Sequence, residues 1–271
     1  MVRASVPPMT LNLLRWAIAM VILMPLAGSI FRSGSGLWGS WKRFAVLGLL
    51  SVGLYNSLQY LALQSSSPIN VTLVAASMPF WMLLIGKLFY GVRVGYKRVV
   101  GAVLSIAGVL LVLSRGEWHV LLTMHLVVGD LYMIVATIAW AFYSWMLTRP
   151  REPESIRSNW SAFLMAQIGF GVIWSAVFTA GEWAIGSHRI DWSWGLVAAL
   201  LFVAIGPAII ALRCWGAGVQ RAGPTVAGFF SNLTPLFAAV FSAAFLGEAP
   251  HLYHLVAFGI IVGGIVFSAQ R

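Results

Sequence analysis

Charge is scarce in this chain of 271 residues: only 9% are Asp, Glu, Lys or Arg, where a soluble domain carries roughly 25%. So few polar residues cannot coat one water-exposed globule, and lipid is the solvent that tolerates such a surface. Carboxylates are the scarcest group, with 7 Asp+Glu against 17 Lys+Arg and a net charge of +10. One cysteine, Cys214, excludes an internal disulfide and a thiolate metal cluster, and its apolar setting predicts a buried, inert thiol. The chain has no P-loop, no G-x-S-x-G and no H-E-x-x-H. Glu248, His251 and His254, spaced three apart, form the one metal-like pattern. No third ligand set or general base accompanies them, so a hydrated loop is the expectation and no metal or cofactor is implied.

What the chain has in abundance is apolar sequence: 60% hydrophobic residues and a mean hydropathy of +0.89. A helix crossing ~30 Å of hydrocarbon needs ~20 mainly apolar residues. Windows of that length predict nine spans, at 9–30, 43–63, 69–90, 97–113, 127–147, 160–181, 194–218, 224–246 and 252–269. The alternating ten-residue segments of a β-barrel are absent. Residues 1–29 resemble a secretory signal in outline, but Arg15 falls in their apolar core and many spans follow. The cations sit between apolar runs rather than on a polar stripe, which argues against nucleic acid.

Those cations are distributed unevenly. One set of alternate loops, with the C-terminus, holds Arg32, Lys42, Arg43, Arg93, Lys97, Arg98, Arg149, Arg151, Arg157, Arg221 and Arg271; the other holds Arg3, Arg115 and Arg189. Cytoplasmic loops retain Lys and Arg, so the first set, and the C-terminus with it, is placed in the cytoplasm. Trp38, Trp41 and Trp160 fall near the inner boundary and Trp118, Trp183, Trp192 and Trp194 near the outer one, as aromatic belts do.

A shift of 156 residues aligns 64–115 with 220–271 without a gap. Gln64 meets Gln220, Pro68 meets Pro224, Pro79 meets Pro235, Phe89 meets Phe245 and Gly91 meets Gly247, and Val100, Gly108 and Arg115 also recur. The loop 91–98 carries three cations and its partner 247–254 none. Copies that cross the membrane in opposite directions have that pattern. The repeat divides the chain at 1–115 and 116–271. The same shift maps residue 157 onto residue 1, which leaves span 127–147 without a counterpart. A ten-helix design whose first helix is absent from this sequence is preferred, and a nine-helix design is the alternative.

Three groups of residues carry a family likeness. They are Pro7-Pro8-Met9-Thr10 through Leu14-Arg15-Trp16-Ala17, Asp130 to Ser144 with Trp140-Ala141-Phe142-Tyr143, and Phe229 to Leu236 with Asn232, Pro235 and then Phe245-Leu246-Gly247-Glu248. They resemble the second, sixth and ninth helices of the drug/metabolite transporter superfamily, specifically its EamA-type exporters. Tyr90-Gly91-Val92 departs from the family's usual Leu-Gly-Glu. The resemblance implies an all-α membrane protein of two inverted five-helix repeats. It also implies efflux of a small organic metabolite across the inner membrane by alternating access, without enzymatic chemistry or cofactors. A membrane-embedded transferase and a non-transporting regulatory subunit are the alternatives. The oligomer is expected to be a monomer or a homodimer.

Polar residues inside the spans are the candidate substrate path, because each is costly in hydrocarbon. Arg15 either reaches headgroups or points into a central cavity. Arg213, six residues after Gly206-Pro207, is read as a contact for an anionic substrate group, as snorkelling to the inner interface, or as packing. Asn56 and Gln59 are three apart on one helical face, and either tie helices together or line the path. Asn232 and Trp140 join them, Trp140 as a stacking wall. Arg15 and Arg213 together point to an anionic or zwitterionic small molecule. Pro79, Pro207 and Pro235 are candidate hinges. Lys87 lies near a span end, where snorkelling accounts for it. No carboxylate falls at mid-span, so facilitated export or exchange fits better than carboxylate-driven antiport.

Overall fold

A computed structural model describes residues 6–117, 119, 125–186, 189–246 and 251–269. Arg3, Trp118, Gly247, Glu248 and Arg271 lie outside the described residues. Among those described there is no strand, and nine helices are long and apolar enough to cross a membrane. They are α1 (Pro8–Phe31), α2 (Trp38–Ser65), α3 (Pro68–Tyr90), α4 (Tyr96–Leu113), α5 (Val128–Leu147), α6 (Trp160–Ile185), α7 (Trp194–Ala222), α8 (Pro224–Phe245) and α9 (Leu252–Ala269). All nine sequence windows are helices, and α6 runs four residues further than its window. Local chemistry sets the starts. Pro8, Pro68 and Pro224 stand at the first helical position, where a missing N–H costs nothing. Ser67, Asn159 and Ser193 cap α3, α6 and α7 through their side-chain oxygens. Large apolar side chains such as Leu26, Phe202, Phe245 and Leu255 are exposed, as lipid-facing positions require. Cys214 is also exposed, so the expected buried thiol is instead on the surface of α7.

The chain divides into two compact units. The first, Met1–Leu61 with Met146–Ala217, contains α1, most of α2, α6 and most of α7. Here α1 packs along α6, α2 packs on α6, and α7 packs on α1. An offset of 155–156 residues carries α1 onto α6 and α2 onto α7, so the two flanking contacts are counterparts. Each flanking helix contains a seven-residue π-helical stretch, Leu49–Tyr55 in α2 and Ala204–Ile210 in α7, 155 residues apart. π turns are rare and concentrate at functional sites, so their recurrence at equivalent places is a structural signature of the repeat. Pro207 lies inside the second stretch. Backbones touch where α2 crosses α6. A Cβ on Gly48 would lie 2.7 Å from the Gly171 nitrogen, and one on Gly171 would lie 2.4 Å from the Val52 side chain.

The second unit, Ala62–Trp145 with Gly218–Arg271, contains α3, α4, most of α5, α8 and α9. Its closest pair is α4 and α9. A Cβ on Gly101 would meet the Gly264 oxygen at 2.6 Å, and one on Gly108 would meet the Ala257 oxygen at 3.0 Å. Gly108 and Gly264 are counterparts at the 156 offset, and so are Gly101 and Ala257. Each residue thus touches the other's counterpart, the reciprocal pattern of a two-fold relation, and the pair runs antiparallel, as inverted copies do. Gly259 and Gly263 face open space, so the small-residue face of α9 runs through Ala257 and Gly264 instead.

Both α3 and α8 are interrupted. The first splits into Pro68–Ala75 and Met78–Tyr90, the second into Pro224–Ser231 and Thr234–Leu246, and the breaks are again 156 residues apart. Pro79 and Pro235 each follow a break, at the second residue of the new helix.

Candidate functional site

The polar interior of the first unit is built around α1. Asn12, Arg15 and Trp16, at helical spacings of three and four, share one face of that helix. Asn12 is fully buried and its amide donates to the Val52 oxygen (2.9 Å), Ser57 Oγ (3.1 Å) and Ser175 Oγ (3.0 Å). This one side chain ties α1 to α2 and α6. Arg15 is 7% exposed. Its Nη1 donates to Asn56 Oδ1 (3.0 Å) and Tyr60 Oη (2.9 Å), and its guanidinium lies 4.9 Å from the Trp16 ring.

Asn56 reaches this position because of the π stretch just before it. Its Nδ2 donates to the Ser51 oxygen (2.7 Å), a carbonyl five residues back inside that stretch. Gln167 Nε2 on α6 donates to Ser51 Oγ (2.8 Å). The irregular turn therefore offers backbone oxygens at Ser51 and Val52 to side chains, which a regular α-helix would have used internally. A guanidinium, two amides, hydroxyls and freed carbonyls converge as a result.

Arg15 itself stays short of partners. Among the described residues the ion pairs leave it out, and its buried Nε has no acceptor. Asn12 Oδ1 and Trp16 Nε1 are likewise buried without a hydrogen bond. Arg15 is thus a buried cation held by neutral acceptors, with one donor unused, and an anionic oxygen is the chemistry that could satisfy that donor.

Glu182 sits near the far end of α6, and its carboxylate accepts from Met9 N (2.9 Å), Thr10 N (3.0 Å) and Thr10 Oγ1 (2.8 Å). Trp183 Nε1 also donates to Thr10 Oγ1 (2.8 Å). Pro7 offers no capping side chain, so the start of α1 is capped from another helix. At the opposite end of α6, Arg43 is ion-paired with Glu152 and donates to the Met146 oxygen (2.9 Å).

Of the sequence candidates, Arg15 and Asn56 come together. Gln59 is half-buried beside Tyr60. Arg213 is exposed on α7 and stacks on Trp160 at 3.8 Å, at the end of the unit where α6 begins. Asn232 and Trp140 belong to the second unit. Asn232 Nδ2 donates to the Ala76 oxygen (3.2 Å) and Ser105 Oγ (2.8 Å), filling the carbonyl that the break in α3 exposes. Ala76 is the counterpart of Asn232 at the 156 offset. The Trp140 ring lies 5.1 Å from Tyr143. Sequence reasoning missed Asn12, Ser51, Tyr60, Ser175 and Glu182. The i, i+3 spacing of Asn12 and Arg15 was available to find the first, whereas Glu182 fell one residue past its assigned span.

Comparison with known proteins follows the same outline. The sequence matches the EamA-like transporter family over residues 1–114 and again over 127–270. The chain belongs to that family. It is therefore a multi-pass membrane transporter of the drug/metabolite type, and its relatives carry transporter names. A transporter of Archaeoglobus fulgidus is 25% identical over 97% of this chain and 88% of its own length. The transporter YyaM of Bacillus subtilis is 22% identical over 94% of this chain and 82% of its own. The aromatic amino acid exporter YddG of Ancylobacter novellus is 26% identical over 96% of this chain and 87% of its own. One solved crystal structure superimposes with a TM-score of 0.75 at 22% identity, covering 98% of this chain and 88% of that one. The two share a fold.

Proposed function

We propose that this EamA-family chain exports a small carboxylate-bearing metabolite, an anion or a zwitterion such as an amino acid, across the cytoplasmic membrane by alternating access between inverted repeats 1–115 and 116–271. The observation that carries the reading is Arg15: buried, held by Asn56 and Tyr60, and with its Nε donor unused. Insertion scales put an arginine at a helix centre at ~2.5–3.5 kcal/mol. A passing carboxylate offsets part of that cost and supplies the missing acceptor. The relative named as an aromatic amino acid exporter supports the zwitterionic class, and the half-buried Tyr60 beside the guanidinium provides aromatic surface. Arg213, on the surface of α7 beside Trp160, is the path residue nearest the cytoplasmic end in this scheme.

Counterflow of radiolabelled L-phenylalanine, then of other amino and organic acids, into proteoliposomes tests the reading. Saturable flux is expected from the wild type. Arg15→Gln should lower it at least tenfold, the loss of about one charge-assisted hydrogen bond, while Arg15→Lys retains part of it. Equal flux in wild type and Arg15→Gln would sink the role of Arg15. No saturable flux of any acid would sink the substrate class.

A further inference from the structure

Buried side-chain polar atoms normally find a partner, and among the described residues five do not: Asn12 Oδ1, Arg15 Nε, Trp16 Nε1, Arg43 Nε and Thr179 Oγ1 lack a hydrogen bond. Arg43 is nonetheless ion-paired with Glu152. The other four belong to α1 and α6 of the first unit. We propose that these four atoms recognise the head group of an α-amino acid, Arg15 Nε and Trp16 Nε1 taking its carboxylate and Asn12 Oδ1 and Thr179 Oγ1 its ammonium group. This inference rests on the transport reading of Arg15 and decides between the two ligand classes left open there, in favour of the zwitterion.

Helical spacing brings the atoms together. Asn12, Arg15 and Trp16 share one face of α1, and Arg15 is about 4.5 Å along the axis from Asn12. On α6, Ser175 accepts from Asn12, and Glu182 accepts from Thr10. Thr179 is four residues past Ser175 and three before Glu182, on the same face of α6, the one turned to α1.

The partners of each group fix its chemistry. The Val52 oxygen only accepts, so the Asn12 amide must present Nδ2 to it, and the same nitrogen serves Ser57 and Ser175. Oδ1 is left as a buried acceptor with nothing to accept. Arg15 Nε and Trp16 Nε1 only donate, and the Thr179 hydroxyl does either. Two donors, one of them cationic, beside two acceptors complement a carboxylate and an ammonium held on one carbon. An organic acid without the amine satisfies the donors and leaves Asn12 Oδ1 unpaired. An amine without the carboxylate sets a second cation against Arg15, which is in no ion pair among the described residues. Asn12, Arg15 and Trp16 are buried, and Thr179 and Tyr60 beside them are half-buried. Entry therefore requires α1 to part from its neighbours, and the described conformation is the closed one. Inside it, an unpaired group costs most and discriminates best.

Binding to the purified full chain, read as the rise of the thermal unfolding midpoint with ligand concentration, tests the assignment. The probes are L-phenylalanine, 3-phenylpropionate, which lacks the amine, and 2-phenylethylamine, which lacks the carboxylate. L-Alanine and propionate repeat the comparison without the ring. Each amino acid should bind about tenfold or more tighter than its deaminated counterpart, the effect of a hydrogen bond to a charged group, and the amine should bind weakest. Thr179→Val removes a hydroxyl that no protein group uses, so the midpoint without ligand should not move. It should weaken L-phenylalanine severalfold and leave 3-phenylpropionate unchanged, whereas a structural role would move both together or neither. Were Thr179→Val to fold poorly, the wild-type ranking decides alone.

Arg15→Gln separates the two claims. Amino acids and deaminated acids that bind equally, and are both weakened by Arg15→Gln, overturn the ammonium contacts and leave the anion reading intact. Binding that Arg15→Gln does not change, or no binding by any of the acids, overturns both.

Discussion

A guanidinium inside a bilayer persists only where acceptors are fixed around it before it arrives, and here a neighbouring amide does the fixing. Asn12, one turn before Arg15, spends its Nδ2 on Val52, Ser57 and Ser175, which locks the rotation of α1 so that Arg15 meets Asn56. Intramembrane hydrogen bonds average about 0.6 kcal/mol each in double-mutant cycles. Asn12→Ala is therefore expected to cost about 1–2 kcal/mol, seen as a lower midpoint of thermal unfolding in detergent. It should also weaken L-phenylalanine counterflow mainly through KM. Unchanged unfolding and unchanged KM would mean that the network does not position α1. The sequence displayed Arg15 and Asn56 as polar interruptions of apolar runs, which is why both could be named in advance. The spacing of Asn12 from Arg15 could have pointed to Asn12, but the partners of Asn12 and Glu182 were hidden, because they depend on which other helix each faces and one chain of hydropathy values does not contain that.

At the scale of elements, two devices replace regular helix, and each occurs twice. The π stretch of α2 frees carbonyls for side chains, and the break of α3 does the same, with Asn232 closing on Ala76; α7 and α8 carry the counterpart stretch and break. Pro79 and Pro235 signalled the breaks in sequence, because a proline inside an apolar run removes an N–H from the ladder. Nothing signalled the stretch at Leu49–Tyr55, which contains no proline. The glycines show the same limit. On α9, Gly259 and Gly263 are four apart on one helical face, yet both face open space, and the neighbouring Gly264 makes the contact. Gly259→Ala and Gly263→Ala are expected to leave thermal unfolding within a degree or two. Gly101→Ala and Gly264→Ala should lower it by several degrees, because the new Cβ meets backbone oxygen, which cannot move aside. Equal effects at all four positions would mean that α4 and α9 do not cross at Gly101.

For the whole molecule, the antiparallel contact of α4 and α9 converts a local charge count into a statement about sidedness. The start of α4 meets the end of α9: Gly101 lies against Ser268, and the Tyr96 and Phe267 rings are 6.4 Å apart. The loop leading into α4 carries Arg93, Lys97 and Arg98, and such a cluster is retained in the cytoplasm. Whatever side holds that loop also holds the end of α9. A green fluorescent protein fused after residue 271 should therefore fluoresce, and an alkaline phosphatase at the same point should be inactive. Replacing Arg93, Lys97 and Arg98 together by Gln weakens the retention signal, so mixed orientation and partial phosphatase activity are expected. Active phosphatase on the unmodified chain would invert every assignment of inside and outside made from the charges.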